Sequence, residues 1–157
     1  MTWEKGRDVI EQLLARGHLE RVQANTDEAS YLIERARQHL ATAAREADDD
    51  PEIAYDAVYA AARKSLTAIL IQQGLRPTRQ GGHEVVIQAA EAQLVPPLGA
   101  VFEPFRRLRR RRAEGDYLAS EGAVAPDDVV ADIPAATAIV DAAARILPEL
   151  TVFASRR

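Results

Sequence analysis

Residues 51–73 are apolar on nearly every side of a helix, and this segment constrains the fold more than any other part of the 157-residue chain. Its apolar residues are Ile53, Ala54, Ala57, Val58, Ala61, Ala62, Leu66, Ala68, Ile69 and Leu70. A helix that is apolar all round is normally buried. Asp50 is placed to cap it, Pro51 takes its first position, and Gly74 follows its end. We therefore predict that this helix is the centre of a bundle.

Helical spacing of apolar residues extends over most of the remaining chain. Asn25 is a predicted N-cap, with Glu28 in capping-box spacing. Besides the central helix, the spacing predicts helices over residues 2–23, 25–47, 83–94, 98–119 and 126–147. Pro104 predicts a kink or a later start in the helix 98–119, and Pro134 is a candidate break point in the last helix. No segment shows the period-two alternation of a strand, and residues 74–82 are predicted to form a loop.

These segments predict an all-α protein, an up-and-down helical bundle. We expect an N-terminal helical arm at 1–24, the bundle at 25–150 and a C-terminal tail at 151–157. The chain has no cysteine, which excludes a disulfide scaffold, a thiolate metal site and a cysteine nucleophile. No apolar run approaches the ~20 residues of a membrane span, and the first residues lack a signal-peptide core. We expect a cytoplasmic protein without membrane contact.

The predicted helix 98–119 carries an unusual concentration of positive charge. Six of the eighteen arginines lie within residues 106–112, although the net charge of the chain is −4. The pairs Arg110–Glu114 and Arg112–Asp116 are spaced i,i+4, and each such pair contributes only about 0.2–0.5 kcal/mol. Most of the charge is therefore expected to be uncompensated, on a solvated helix face or against an anionic partner.

Arginine suits bidentate recognition of phosphate, and Tyr117 at the end of the run offers a ring on which a base or ribose can stack. The predicted residues for RNA, nucleotide or partner binding are Arg106, Arg107, Arg109, Arg110, Arg111, Asp116 and Tyr117. A weaker candidate is the basic loop Arg76, Arg79 and His83, which leads into a helix N-terminus. The three histidines lie in separate segments, so neither a metal site nor a cofactor is predicted.

Several segments follow one another in an order that is typical of one family. They are residues 13–22, 32–40 and 54–70, the Gly-His83-Glu start of the next helix, and the arginine-rich helix that ends in Asp116-Tyr117. Over about residues 8–147 the chain resembles the HEPN domain family. The resemblance implies a helical bundle that usually dimerises. Many members cut RNA without metal, using an arginine, four to six residues and a histidine, often with a tyrosine shortly after.

The resemblance also implies where this chain departs from the catalytic form. Counted back from Tyr117, the arginine of the motif is Arg110, and the histidine position holds Gly115. Glycine has no titratable group, and the unperturbed pKa of an aspartate, ~3.9, makes Asp116 a weak base at neutral pH. No catalytic residue is therefore assigned. Members of the family that lack the histidine act as binding modules beside a minimal nucleotidyltransferase.

Three hypotheses follow from the sequence. The leading one is a non-catalytic, dimeric HEPN-like module of a toxin–antitoxin or defence system that binds RNA or a nucleotide, or docks a minimal nucleotidyltransferase-like partner. The second is a metal-independent ribonuclease with a relocated base, for example His83 brought near Arg110. The third is a plain interaction module whose arginines meet an acidic protein surface.

Overall fold

The protein is a helical bundle built around one long helix. The structure, a computed structural model, describes residues 4–117, with side chains through residue 113, and residues 124–154. Within these residues, no helix combines the length and the apolar character that a membrane crossing needs. The elements are α1 (Arg7–Ala15), β1 (Leu19–Arg21), α2 (Thr26–Glu46), α3 (Pro51–Gln72), β2 (Leu75–Pro77), α4 (Glu84–Leu94), α5 (Gly99–Phe102), α6 (Phe105–Tyr117), α7 (Pro126–Ile146) and a 3₁₀ turn, Leu147–Glu149. The predicted all-α class is confirmed.

Helix α3 is the centre of the fold, as its all-round apolar character predicts. It contacts α2, α4, α6 and α7. The Asp50 side chain accepts a hydrogen bond from the Ile53 backbone N–H at 3.2 Å, which caps the helix. Gly74 follows the helix with a φ of 77°, a left-handed conformation that glycine adopts without strain. The first turn of α3 is less buried than the rest of the helix, since the Ile53 side chain is 54% exposed.

Helix α2 lies against α3 and α7 along one face. The Asn25 side chain accepts a hydrogen bond from the Glu28 backbone N–H at 2.9 Å, so the predicted cap is confirmed. The buried residues of the helix are Ala29, Ile33, Ala36, Leu40 and Ala43. Because three of these are alanines, the axes of α2 and α3 can approach closely. The opposite face of α2 faces solvent.

The predicted helix over residues 2–23 does not continue to its end, and residues 74–82, predicted as a loop, contain a short strand. Helix α1 ends at Ala15, and Gly17 turns the chain with a φ of 73°. Strand β1 then pairs antiparallel with β2, with Leu19 opposite Pro77. Strands of three residues are too short to show a period-two pattern, and Leu19 is buried in the same core as the bundle.

The two proline predictions have different outcomes. Helix α6 begins at Phe105, directly after Pro104, so the predicted later start is confirmed. Pro134 lies inside α7, which continues through it, and the candidate break at this position is wrong. An interior proline disfavours a helix by about 3 kcal/mol. The packing of α7 on α2 and α3, with Ala136 and Ile139 fully buried, outweighs that penalty.

A buried polar network joins α3, α6 and α7. The Tyr55 hydroxyl donates a hydrogen bond to Asp132 at 2.6 Å, and the Arg107 guanidinium donates to the other carboxylate oxygen at 2.9 Å. Tyr55 is fully buried and Asp132 is 9% exposed. Burial, followed by the hydrogen bond to Asp132, raises the pKa of Tyr55, so its hydroxyl stays protonated and acts as the donor. One arginine of the 106–112 run is thereby committed to holding the bundle together.

We predict that Asp132→Ala lowers the free energy of unfolding by about 2–4 kcal/mol, because Tyr55 loses its acceptor and Arg107 its counter-ion. Urea unfolding followed by circular dichroism measures the change. The control is Asp141→Ala, whose ion pair with Arg37 is about half exposed and should contribute less than about 1 kcal/mol. Equal losses in the two variants would contradict a special role for the buried network.

Candidate functional site

The arginines of α6 are engaged with carboxylates of other helices. Five of the six side chains in the run 106–112 form ion pairs, with N–O distances of 2.6–3.4 Å. The pairs are Arg106 with Glu84 and Glu91, Arg107 with Asp132, Arg109 with Glu84, Arg111 with Asp128, and Arg112 with Asp56. The expectation that most of this charge is uncompensated is wrong, because α3, α4 and α7 supply the acids.

Arg110 is the member of the run without a carboxylate partner among the described side chains, and it is exposed. The side chains of Glu114, Asp116 and Tyr117 lie outside the part of the chain that the structure describes. The predicted pair Arg110–Glu114 and the predicted stacking role of Tyr117 therefore stay predictions. Arg112 contacts Asp56 of α3 at 3.3 Å.

Glu84 connects α6 to the start of α4. Its Oε1 accepts hydrogen bonds from Arg106 at 2.7 and 2.9 Å, and its Oε2 accepts one from Arg109 at 3.0 Å. Glu84 is the first residue of α4 and directly follows His83. The arginine helix is therefore held next to His83, which sequence reasoning had placed in a separate and weaker candidate.

His83 lies among aromatic rings and arginines. Its Nδ1 is 2.8 Å from the Tyr59 hydroxyl, and the two ring centroids are 5.6 Å apart. Burial lowers the pKa of His83, and the positive charges of Arg63, Arg109 and Arg112 lower it further. Since the pKa lies below the ordinary value of 6.5, the imidazole is uncharged at neutral pH.

Tyr59 sets the hydrogen bonding of that imidazole. Burial raises the pKa of the Tyr59 hydroxyl, which therefore keeps its proton. When this hydroxyl donates to Nδ1 of the neutral ring, the ring proton sits on Nε2, which becomes an N–H donor. Tyr59 is held in turn by Phe105 of α6, with ring centroids 5.7 Å apart, and the Arg112 guanidinium lies 5.8 Å from its ring centroid.

A cleft of about 390 Å³ opens beside His83, between α3 and the segment that precedes α4. Its lining includes Arg63 and Thr67 of α3, with Thr78, Arg79 and His83 from the other side. The Thr78 backbone N–H donates to the His18 carbonyl at 3.0 Å, and its hydroxyl donates to the Gly17 carbonyl. These bonds fix one wall of the cleft to the turn before β1. None of the described lining residues is acidic.

Arg63 is the residue of this cleft that sequence reasoning missed. Its Nε is buried and has no hydrogen-bond partner among the described residues, although a buried N–H without an acceptor costs about 1–3 kcal/mol. The sequence signal was a single Arg-Lys pair inside a helix that is otherwise apolar nearly all round.

The weaker candidate set is divided by the structure. Arg79 and His83 line the cleft with Arg63. Arg76, on β2, forms an ion pair with Glu20 of β1 at 2.6 Å. Within the described ranges, no group of three or more histidine and acidic side chains is placed to hold a metal ion. The cations that remain for a ligand here are Arg63 and Arg79, with the neutral His83 as a further donor.

We predict that Arg106→Ala destabilises the protein by about 1 kcal/mol, because Glu91 loses its cation and Glu84 keeps only Arg109. Arg110→Ala, in the same helix, should change the free energy of unfolding by no more than about 0.5 kcal/mol. Urea denaturation of both variants supplies the comparison. A larger loss for Arg110→Ala would show that the run is not held as described.

The chain was also compared with known proteins. No family model, no curated protein and no solved structure matches it. The resemblance to HEPN domains therefore stays a prediction.

Proposed function

We propose that this protein is a HEPN-like RNA- or nucleotide-binding module that holds a phosphate group in the cleft between Arg63, Arg79 and His83. The observation that carries the proposal is the buried Nε of Arg63, an N–H donor without an acceptor in a cleft whose described lining contains no carboxylate. A phosphate in the cleft supplies an acceptor to the Arg63 guanidinium and brings one or two negative charges, according to the ligand.

The chemistry of the cleft matches phosphate better than a carboxylate or a neutral ligand. A guanidinium presents donors in a planar fork, and phosphate accepts them in pairs. His83 adds an N–H donor without adding a positive charge, since its pKa is lowered by burial and by the neighbouring arginines. Arg109 and Arg112 contribute positive potential nearby even though each is ion-paired, because a partly exposed pair does not cancel its field completely.

The wider setting of this module is proposed from the resemblance. A HEPN-like chain without the motif histidine is expected as a homodimer beside a minimal nucleotidyltransferase-like protein, in a toxin–antitoxin or defence system. Exposed Arg110 supports a docking contact on α6, since it is the run's remaining cation without a described partner. The alternative of a plain interaction module uses the same residue against an acidic protein surface.

A metal-independent ribonuclease is the second candidate, and one observation favours it. His83 lies among Arg63, Arg109 and Arg112 and is uncharged at neutral pH, as a general base has to be. In this role Nδ1–H donates to Tyr59, which leaves the lone pair of Nε2 to take the proton of a ribose 2′-hydroxyl. The 2′-oxygen then attacks the adjacent phosphorus, which an arginine holds through the phosphate oxygens. A 2′,3′-cyclic phosphate forms, the bond to the 5′-oxygen of the next nucleotide breaks, and that oxygen leaves as a hydroxyl after taking a proton from solvent or from the protonated His83.

We predict that Arg63→Gln and Arg79→Gln each weaken the binding of a 5′-phosphorylated uridine dinucleotide by about tenfold or more, because each removes a charge-assisted hydrogen bond. Fluorescence anisotropy of a labelled dinucleotide at low salt measures the affinity. The matched control is Arg76→Gln, which removes an arginine that Glu20 already neutralises and should leave the affinity unchanged. If Arg110→Gln abolishes binding while Arg63→Gln does not, the ligand site is on α6 and the cleft proposal is wrong.

For the ribonuclease candidate, we predict cleavage of single-stranded RNA in the presence of EDTA, with loss of cleavage in His83→Ala. The loss follows because His83 is the histidine that lines the cleft with Arg63 and Arg79. Gel analysis of end-labelled RNA, incubated with protein purified free of contaminating nuclease, gives the answer. Binding without any cleavage by the unaltered protein removes this candidate and leaves the binding module standing.

A further inference from the structure

A second group of basic side chains lies on α2 and α3, near Arg63 of the cleft. Arg35 and His39 are one turn apart on α2, and Lys64 follows Arg63 on α3. Burial lowers the pKa of Lys64, and the charges of Arg63 and Arg35 lower it further. Burial also lowers the pKa of His39, followed by the charges of Lys64, Arg35 and Arg63. Arg35, His39, Arg63 and Lys64 therefore lie within electrostatic reach of one another, and His39 is uncharged at neutral pH.

Arg35, Arg63 and Lys64 have no acidic partner in the part of the chain that the structure describes. Among the described residues, the ion pairs involve other arginines, and none includes Arg35, Arg63 or Lys64. The Arg35 guanidinium donates to the neutral side-chain amide of Gln38. Like charges that lie close together repel one another, and a bound anion relieves the repulsion among Arg35, Arg63 and Lys64.

An exposed aromatic ring extends this region along α2. Tyr31 is 58% exposed, and it lies four residues before Arg35 and eight before His39. Residues at this spacing share a helix face, and from position 31 to position 39 the helix rises about 12 Å. Tyr31, Arg35 and His39, together with Arg63 and Lys64 of α3, form a strip that ends at Glu28, one turn before Tyr31. An aromatic side chain in line with cations is the arrangement by which proteins hold single-stranded nucleic acid, with bases stacked on rings and phosphates on cations.

The geometry points to a path for single-stranded RNA or DNA that runs from the phosphate in the cleft, past Arg63 and Lys64, to Arg35 and Tyr31 on α2. This inference rests on the proposed function and makes the ligand a strand of several nucleotides. Arg63 is the link, because it lines the cleft and also lies within electrostatic reach of Lys64 and His39. A mononucleotide or dinucleotide fills the cleft alone.

Single-stranded nucleic acid fits this strip better than the other polyanions do. An acidic peptide pairs with the cations but gains nothing from the flat face of Tyr31. An anionic membrane surface favours a helix with an apolar face next to its cations, whereas the neighbours of Tyr31 on its own face of α2 include the charged residues Glu28, Glu34 and Arg35. Stacking on tyrosine is open to every base, so we expect little preference among sequences.

The test compares a twelve-nucleotide oligouridylate with the 5′-phosphorylated uridine dinucleotide. Tyr31→Ala should weaken binding of the twelve-mer about fivefold or more, the low end for loss of one stacked base, while Tyr31→Trp preserves it. Arg35→Gln and Lys64→Gln should each weaken the twelve-mer and reduce the slope of log affinity against log salt by about 0.7. None of these variants should change binding of the dinucleotide.

Two controls match the variants in position. Arg37→Gln removes a cation of α2 that Asp141 already pairs, and Ile53→Ala removes a large exposed apolar side chain from α3; neither should alter binding of the twelve-mer. If the α2 variants bind both probes as the unaltered protein does, the path is wrong and the cleft remains. If neither probe binds at low salt, the proposed function is wrong. The inference is also wrong if the protein binds a polyglutamate peptide or phosphatidylserine vesicles more strongly than the twelve-mer and if that binding depends on Arg35.

Discussion

The structure depends on compensation of the positive charge of α6 by the helices around it. Six guanidinium groups within one short helix repel one another. The helix nevertheless packs on the core, where its Phe105 and Leu108 side chains are fully buried. Carboxylates from α3, α4 and α7 meet five of the six. The pair of Arg107 with Asp132 is the most buried of these contacts and includes the Tyr55 hydroxyl. The arginine run thus specifies where α6 lies against its neighbours.

That compensation determines which cations remain for a ligand. Because Glu84 is held by Arg106 and Arg109, the residue before it, His83, is brought against Tyr59 and the arginines of α3 and α6. Arg63 and Arg79 lie at this junction without a described counter-ion, and the Arg63 Nε is buried without an acceptor. Most arginines of α6 are ion-paired, whereas Arg63 and Arg79 of the cleft have no described acidic partner. We therefore expect an anion to bind in the cleft.

Local sequence patterns predicted the helices, but they did not predict the strand pairing or the ion pairs between residues far apart in the chain. The caps at Asn25 and Asp50 and the central position of α3 follow from residues within one or two turns. The pairing of β1 with β2 joins segments far apart in the chain, and three-residue strands carry no periodicity. The acids that meet α6 also lie on distant elements, so i,i+4 spacing could not reveal them. His83 and Arg79 were found as a basic loop, while Arg63 was hidden because it looked like one polar residue on a core helix.

The central claim is that Arg63 in the cleft, rather than the α6 run, meets the ligand. Nuclear magnetic resonance of the arginine Nε–H groups, assigned by arginine-to-lysine variants, tests it directly during titration with the 5′-phosphorylated dinucleotide. We predict that the Arg63 resonance shifts strongly and that its proton exchanges more slowly with water, because the buried donor gains an acceptor, while the resonances of Arg106 and Arg107 stay in place. A shift confined to α6 arginines, with Arg63 unchanged at saturation, would contradict the account.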